Sequence, residues 1–130
     1  LLNLHKIEID CNQVTVIDIS NRSIDSLENL NLERFENLEE LHISKCSLTD
    51  LEPISNMIYL KDLDCSYNQI TSLEPIINME KLEILTCNNN QLTSLEPIIN
   101  LESLQEINYY GNPYTENHSG EVLRKLNDCR

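Results

Sequence analysis

His42 follows Glu40 by two residues, precedes Ser44 by two, and stands one 22-residue step before Asp64. A histidine, an acid and a serine (Ser44 or Ser66) are the ingredients of a nucleophilic triad, in which the imidazole takes the hydroxyl proton and the carboxylate orients the imidazole. The spacing argues against that chemistry. In an extended segment, residues two apart are separated by about 6.6 Å of rise alone. That exceeds the hydrogen-bond reach that proton transfer needs. An open sheet also offers neither a pocket nor oxyanion donors. The same His42, with Glu40, Asp62 and Asp64, has the donor types of a divalent-cation site, and carboxylates on adjacent strands can converge on an ion. No EF-hand or similar loop accompanies them. The expectation is no catalytic residue, no metal and no cofactor, and so no enzyme. His5 and His118 have no partner that suggests chemistry.

The five cysteines, Cys11, Cys46, Cys65, Cys87 and Cys129, are odd in number and widely spaced, and no C-x-x-C pair occurs. Zinc-ribbon and dithiol redox motifs are thereby disfavoured. Reduced thiols are expected, which favours a reducing, intracellular compartment, with a secreted or cell-surface location as the alternative. Cys65 and Cys87 fall at the same place in successive repeats and read as small core residues rather than a disulfide. Asn21-Arg22-Ser23 and Asn117-His118-Ser119 match the glycosylation sequon, which matters only in a secreted eukaryotic protein.

The chain carries 22 acidic and 9 basic residues, a net charge of −13. Such a surface repels phosphate backbones and lacks the basic footprint of a nucleic-acid binder. It favours a basic partner, or simply solubility. Hydrophobic residues make up 40% of the 130, enough for one continuous core. No apolar run approaches the ~20 residues of a spanning helix, so membrane insertion is not expected. The first residue is Leu1 and no signal-peptide pattern opens the chain. A fragment or a processed form is expected.

The elements that must carry these side chains repeat. Leu38, Leu60, Leu82 and Leu104 stand 22 residues apart. From them run LEELHISKCSLTDLEPISNMIY, LKDLDCSYNQITSLEPIINMEK and LEILTCNNNQLTSLEPIINLES, then the start of a further unit, LQEINYYGNPYTEN. The rule is L-x-x-L-x-L-x-x-N-x-L-x-x-L-x-P-I-x-x-L. An earlier unit through Val14, Ile17, Ile19, Ile24, Leu27 and Leu30 fits with a step of 24. An amphipathic helix keeps a period of about 3.6 and does not restart at such intervals.

Within each unit, Leu41-x-Ile43, Leu63-x-Cys65, Leu85-x-Cys87 and Ile107-x-Tyr109 alternate with period two, as a half-buried strand does. Asn68, Asn90 and Asn112 recur where the chain leaves the strand. A buried amide there can bond free backbone groups of its own and the adjacent turn, forming a structural ladder. Cys46 takes that place in one unit and Arg22 falls near it in the first, so the ladder should weaken toward the N-terminus. Leu48, Leu51 and Ile54 with their counterparts carry the core round the other side. Pro53, Pro75 and Pro97 bar regular helix there and predict short 3₁₀ or irregular segments.

On residues 14 to 114 the chain resembles the leucine-rich-repeat family. The L-x-x-L and L-x-P-I phrasing is similar to the 22-residue repeats of protein phosphatase 1 regulatory subunits and bacterial internalins. The resemblance implies an α/β-type solenoid, a right-handed curved superhelix with a parallel sheet on its concave face. It implies a protein-interaction module, here taken as a monomer. The internalin likeness leaves open an extracellular adhesin or virulence factor. A sensor domain of a larger enzyme, such as a kinase or ubiquitin ligase, is a further alternative. Expected units are a cap over 1–13, repeats over 14–37, 38–59, 60–81, 82–103 and 104–117, and a cap helix over 118–130. The first cap reads as a β-hairpin, from the alternation in residues 6–11 and 14–19 with Cys11-Asn12-Gln13 as its turn. The last reads as a helix started by Ser119 with Val122, Leu123 and Leu126 on one face. Gly111-Asn112-Pro113 matches a phrase of last repeats in the family.

Three outward columns follow from the repeat. They are Val16, Glu40, Asp62, Ile84 and Glu106; Asp18, His42, Asp64, Thr86 and Asn108; and Ser20, Ser44, Ser66, Asn88 and Tyr110, with Lys45, Tyr67 and Asn89 beside them. The expected partner-binding residues on this face are Asp18, Glu40, His42, Asp62, Asp64, Tyr67, Ile84, Glu106 and Tyr110. The carboxylates suit a basic segment of a protein partner, and the tyrosines and Ile84 offer aromatic and apolar contact.

Overall fold

A computed structural model describes residues 10–113 and residue 124. Five three-residue strands form one parallel sheet: β1 (Val16–Asp18), β2 (Glu40–His42), β3 (Asp62–Asp64), β4 (Ile84–Thr86) and β5 (Glu106–Asn108). They pair in sequence order, each strictly opposite its repeat-mate, as in Ile17 with Leu41 and Leu63 with Leu85. The 24-residue first step is absorbed outside the strands. The additional room lies in two consecutive 3₁₀ turns, Leu27–Leu30 and Leu32–Arg34, joined through Asn31 in the left-handed conformation. The fold is a leucine-rich-repeat solenoid.

On the far side each later unit makes one 3₁₀ turn: Glu52–Ile54, Glu74–Ile76 and Glu96–Ile98. Its second residue is proline, which presets φ and lacks the N–H that a first turn leaves unbonded anyway. The residue two before the turn closes its entry. Asp50 Oδ1 accepts the Glu52 N–H, and the Ser72 and Ser94 hydroxyls accept those of Glu74 and Glu96. Leu41, Leu63 and Leu85 from the strands meet Leu51, Leu73 and Leu95 from the far side in one fully buried core.

The asparagines hold the strand exits together. Asn68 donates from Nδ2 to the carbonyls of Ile43 and Cys65, and its Oδ1 accepts the N–H groups of Cys46 and Leu48. Asn90 donates to Cys65 and Cys87 and accepts from Ile70. Asn112 donates to Cys87 and Tyr109 and accepts from Asn90 and Leu92. At Cys46 the thiol donates to the Ile19 carbonyl at 3.2 Å but has no amide oxygen to offer backward. The main chain supplies that acceptor instead: the Cys46 carbonyl takes the Ile24 N–H at 3.1 Å. Ile24, Leu48, Ile70 and Leu92 are the same position of successive units. Ser47, at φ +60, stands in the left-handed region where the residues following Asn68 and Asn90 do not. Arg22 is exposed.

Cys11–Gln13 form a 3₁₀ turn, with the Asp10 carboxylate accepting the Asn12 N–H. The first arm of the expected N-terminal hairpin lies almost wholly outside the described residues, and so does the expected C-terminal cap helix, of which only Arg124 is described, in helical conformation.

Candidate functional site

The parallel register turns the repeat into columns of side chains. Glu40 lies opposite Val16 and Asp62, and Ile84 opposite Asp62 and Glu106. Asp18, His42, Asp64, Thr86 and Asn108 run in the same way two residues further along. In β2, β3 and β4 these residues are half-buried around a buried central one; in β1 and β5 they are exposed. Parallel strands about 4.8 Å apart force neighbours in a column into electrostatic contact.

His42 is the centre of that contact. Its Nε2 is 3.9 Å from Glu40 Oε1 and its Nδ1 is 4.0 Å from Asp64 Oδ2. Asp62 is held above the usual carboxylate range by burial. Glu40 and Asp64 add to that shift, and His42 opposes it. Asp18, at the exposed end, is shifted down, chiefly because it accepts the Ser20 N–H at 2.9 Å, with a smaller contribution from His42. The arrangement does not form a triad. The Ser66 hydroxyl donates to Asp64 Oδ1 at 2.7 Å, and the Ser66 N–H bonds the same oxygen at 3.0 Å. The serine is therefore tied to the acid rather than to the imidazole.

The third column departs from the expectation of outward residues. Ser66 is 5% exposed and Asn88 3%. The strands end at the second column, and the chain there already turns toward the amide ladder, drawing these two side chains in. Asn88 Oδ1 is buried without a hydrogen-bond partner. Only Tyr110 of that column is well exposed among the three central and C-terminal members.

Lys45, Tyr67 and Asn89, expected beside the three columns, belong to a further column that Asn21 and Gly111 complete. Asn21, Lys45, Tyr67, Asn89 and Gly111 all have positive φ, between 55 and 74°, once per repeat. Asparagine and glycine adopt that conformation readily; lysine and tyrosine do so at a cost. Asn89 and Gly111 carried the available signal. The turn aims Tyr67 off the sheet, 48% exposed, with the Lys45 ammonium 5.2 Å from its ring centre. Tyr67 is the chief cause of a raised Tyr110 pKa, while the Asn108 side chain works the other way. The tyrosines come from units two apart.

A feature absent from the sequence reading lies beside the strand entries. An open groove of about 890 Å³ is lined by Asn12, Asn37, Glu39, Tyr59, Lys61 and Lys81 among others. Lys61 is paired with Glu39 at 2.9 Å, and Lys81 lies 5.4 Å from the Tyr59 ring centre. Cys11, Cys46, Cys65 and Cys87 are free thiols. Burial pushes Cys87 up to about 12 and Cys65 well above its ordinary value, so neither is a nucleophile. Among the described residues no helix is long and apolar enough to cross a membrane.

Residues 36–78 match the family model described as Leucine Rich repeats (2 copies). No curated protein sequence matches. Among solved structures, a leucine-rich-repeat protein of Leptospira interrogans is similar at 25% identity and a TM-score of 0.81, over 95% of this chain and 33% of that one. Internalin C2 of Listeria monocytogenes is similar at 23% identity and a TM-score of 0.74, over 81% of this chain and 46% of that one. An internalin F from the same organism gives 22% and 0.62, over 88% and 40%. The chain thus spans less than half the length of each.

Proposed function

We propose that this leucine-rich-repeat solenoid protein, internalin-like in fold, grips a basic segment of a protein partner on the concave face of its sheet. Proteins of this fold are generally binding modules without catalysis of their own. The observation that carries the reading is the charge of the two outward columns. Asp18, Glu40, Asp62, Asp64 and Glu106 stand there, and neither column holds a lysine or arginine. Like charges stacked on adjacent strands are unfavourable for the free protein, and a cationic segment relieves them. The rim adds contact area of another kind in Tyr67 and Tyr110, exposed aromatic side chains of the type that dominates binding energy. A nucleic acid is a poor fit to this surface. The protein acts as a monomer, one concave face per partner.

Replacing Asp62, Asp64 and Glu106 together by lysine tests the reading. Affinity capture from the source cells with the wild-type and triple-variant chains should lose the partner in the variant, while circular dichroism shows the same fold. Capture of the same partner by both chains would remove the acidic face from consideration. Tyr67→Ala and Tyr110→Ala should each lower the affinity without altering its dependence on salt.

A further inference from the structure

We propose that Glu40, His42 and Asp62 form a binding site for a divalent transition-metal ion of the Zn²⁺ type, bridging β2 and β3 on the outward face of the sheet. One ligand atom of each lies within 4.8 Å of the other two. The register creates this. Glu40 and Asp62 are direct partners across β2 and β3, and His42 follows Glu40 by two on the same face of the strand. All three are half-buried, so the cluster is more enclosed than a set of exposed surface acids. The His42 Nε2 to Glu40 Oε1 separation, 3.9 Å, is too long for a hydrogen bond, and the three donor atoms lie up to 4.8 Å apart. They close onto a shared ion by side-chain rotation, for which Glu40, its side chain 42% exposed, has room.

The second observation concerns the other side of the imidazole. Metal-binding histidines use one ring nitrogen for the metal and give the other N–H to a carboxylate, which fixes the ring and strengthens the ligand. His42 makes no such hydrogen bond in the free chain, but its ring stands a small rotation short of it. Nε2 faces Glu40, while Nδ1 faces Asp64 Oδ2 at 4.0 Å. The other Asp64 oxygen is anchored by the Ser66 N–H and hydroxyl, so the carboxylate is preset to orient the ring. Asp64 is thus a positioning residue and not a ligand. One nitrogen and two oxygens suit Zn²⁺ and its neighbours, whereas Ca²⁺ takes six to eight oxygens. Three protein ligands leave a coordination position for water or for a group of the partner. The site does not rest on the partner reading above, since the metal binds or fails to bind the free chain.

The test is a titration of Zn²⁺ into the chelator-treated chain, in a Cys11→Ser, Cys129→Ser background. Calorimetry and the imidazole signals of His5, His42 and His118 in ¹⁵N NMR are the readouts. The expected result is saturation at one equivalent, a shift confined to His42, and little competition from Mg²⁺. Asp62→Asn and His42→Ala should each weaken binding about 100-fold, and Asp64→Asn about 10-fold, the scale of an outer-shell partner. Thermal melts in EDTA should be unchanged. If His42→Ala fails to fold, Glu40→Gln takes its place. Non-saturating binding, an unshifted His42, equal competition by Mg²⁺, or variants that bind as well as the wild type would overturn the proposal, leaving a diffuse acidic surface.

Discussion

The strand exits at Asn90 and at Cys46 solve one problem with different atoms. At Asn90 a single side chain donates to carbonyls in two units and accepts an N–H from the unit before. At Cys46 the tasks are divided. A thiol donates weakly to Ile19, and the main-chain carbonyl, turned by the left-handed Ser47, accepts from Ile24. A buried backbone group must be paired, but the solenoid does not prescribe by what. The substitution displaces strain into the backbone rather than leaving a group unbonded.

The largest expected effect comes from breaking the stronger exit. Asn90→Ala leaves the buried Ile70 N–H without a partner and takes one of two side-chain donors from each of the Cys65 and Cys87 carbonyls, and should cost about 2 kcal/mol, read from a urea melt. Gly111→Ala strikes the neighbouring turn. An added Cβ at φ +74 would stand 2.5 Å from Asn89 Oδ1 and 3.3 Å from Asn89 Cα. The cost should exceed about 1 kcal/mol, since L side chains disfavour that backbone. Cys46→Ala breaks the weaker exit and should cost about 1 kcal/mol, because its main-chain acceptor survives. A loss equal to that of Asn90→Ala would show that the thiol, not the carbonyl, carries the exit.

The smallest effect lies on the outward face. The folded-state pKa of Asp62 is raised above its ordinary 3.8, so the folded chain holds that proton more tightly than the unfolded one. Its ionisation therefore disfavours folding. The penalty is absent below 3.8, grows as pH rises through the raised folded value, and is complete above it. Asp62→Asn should stabilise the metal-free chain at neutral pH by under about 0.5 kcal/mol, given its solvent exposure, and the gain should vanish in acid. A gain that persists at low pH would point to packing rather than charge.

Much of this molecule is legible in the residue pattern. The 22-residue step set the strands, their parallel order and the inward leucines, and Asn68, Asn90 and Asn112 were readable as buried amides by their type and place. The members of the first two outward columns followed from alternation alone. The exits were not legible in the same way. Ser66 and Asn88 continue the alternation past the point where the strand stops, so they read as outward although the chain has turned. Nor does Tyr67, a residue poorly suited to positive φ, announce that its backbone takes one.

The sequence by itself determined the solenoid, because a repeating unit with leucines at fixed steps has one way to bury them all: stacking in phase on copies of itself. It also determined which residues share the acidic face. Only the tertiary structure decided how that face is wired. The two nitrogens of His42 facing Glu40 and Asp64, the anchoring of Asp64 by Ser66, and the Lys45 ammonium beside the Tyr67 ring depend on side-chain directions. Those directions follow from backbone angles at the strand exits. The angles are in turn set by hydrogen bonds to residues 20 to 25 positions away, as between Asn68 and Leu48 or Ile43, which no local reading of the chain contains.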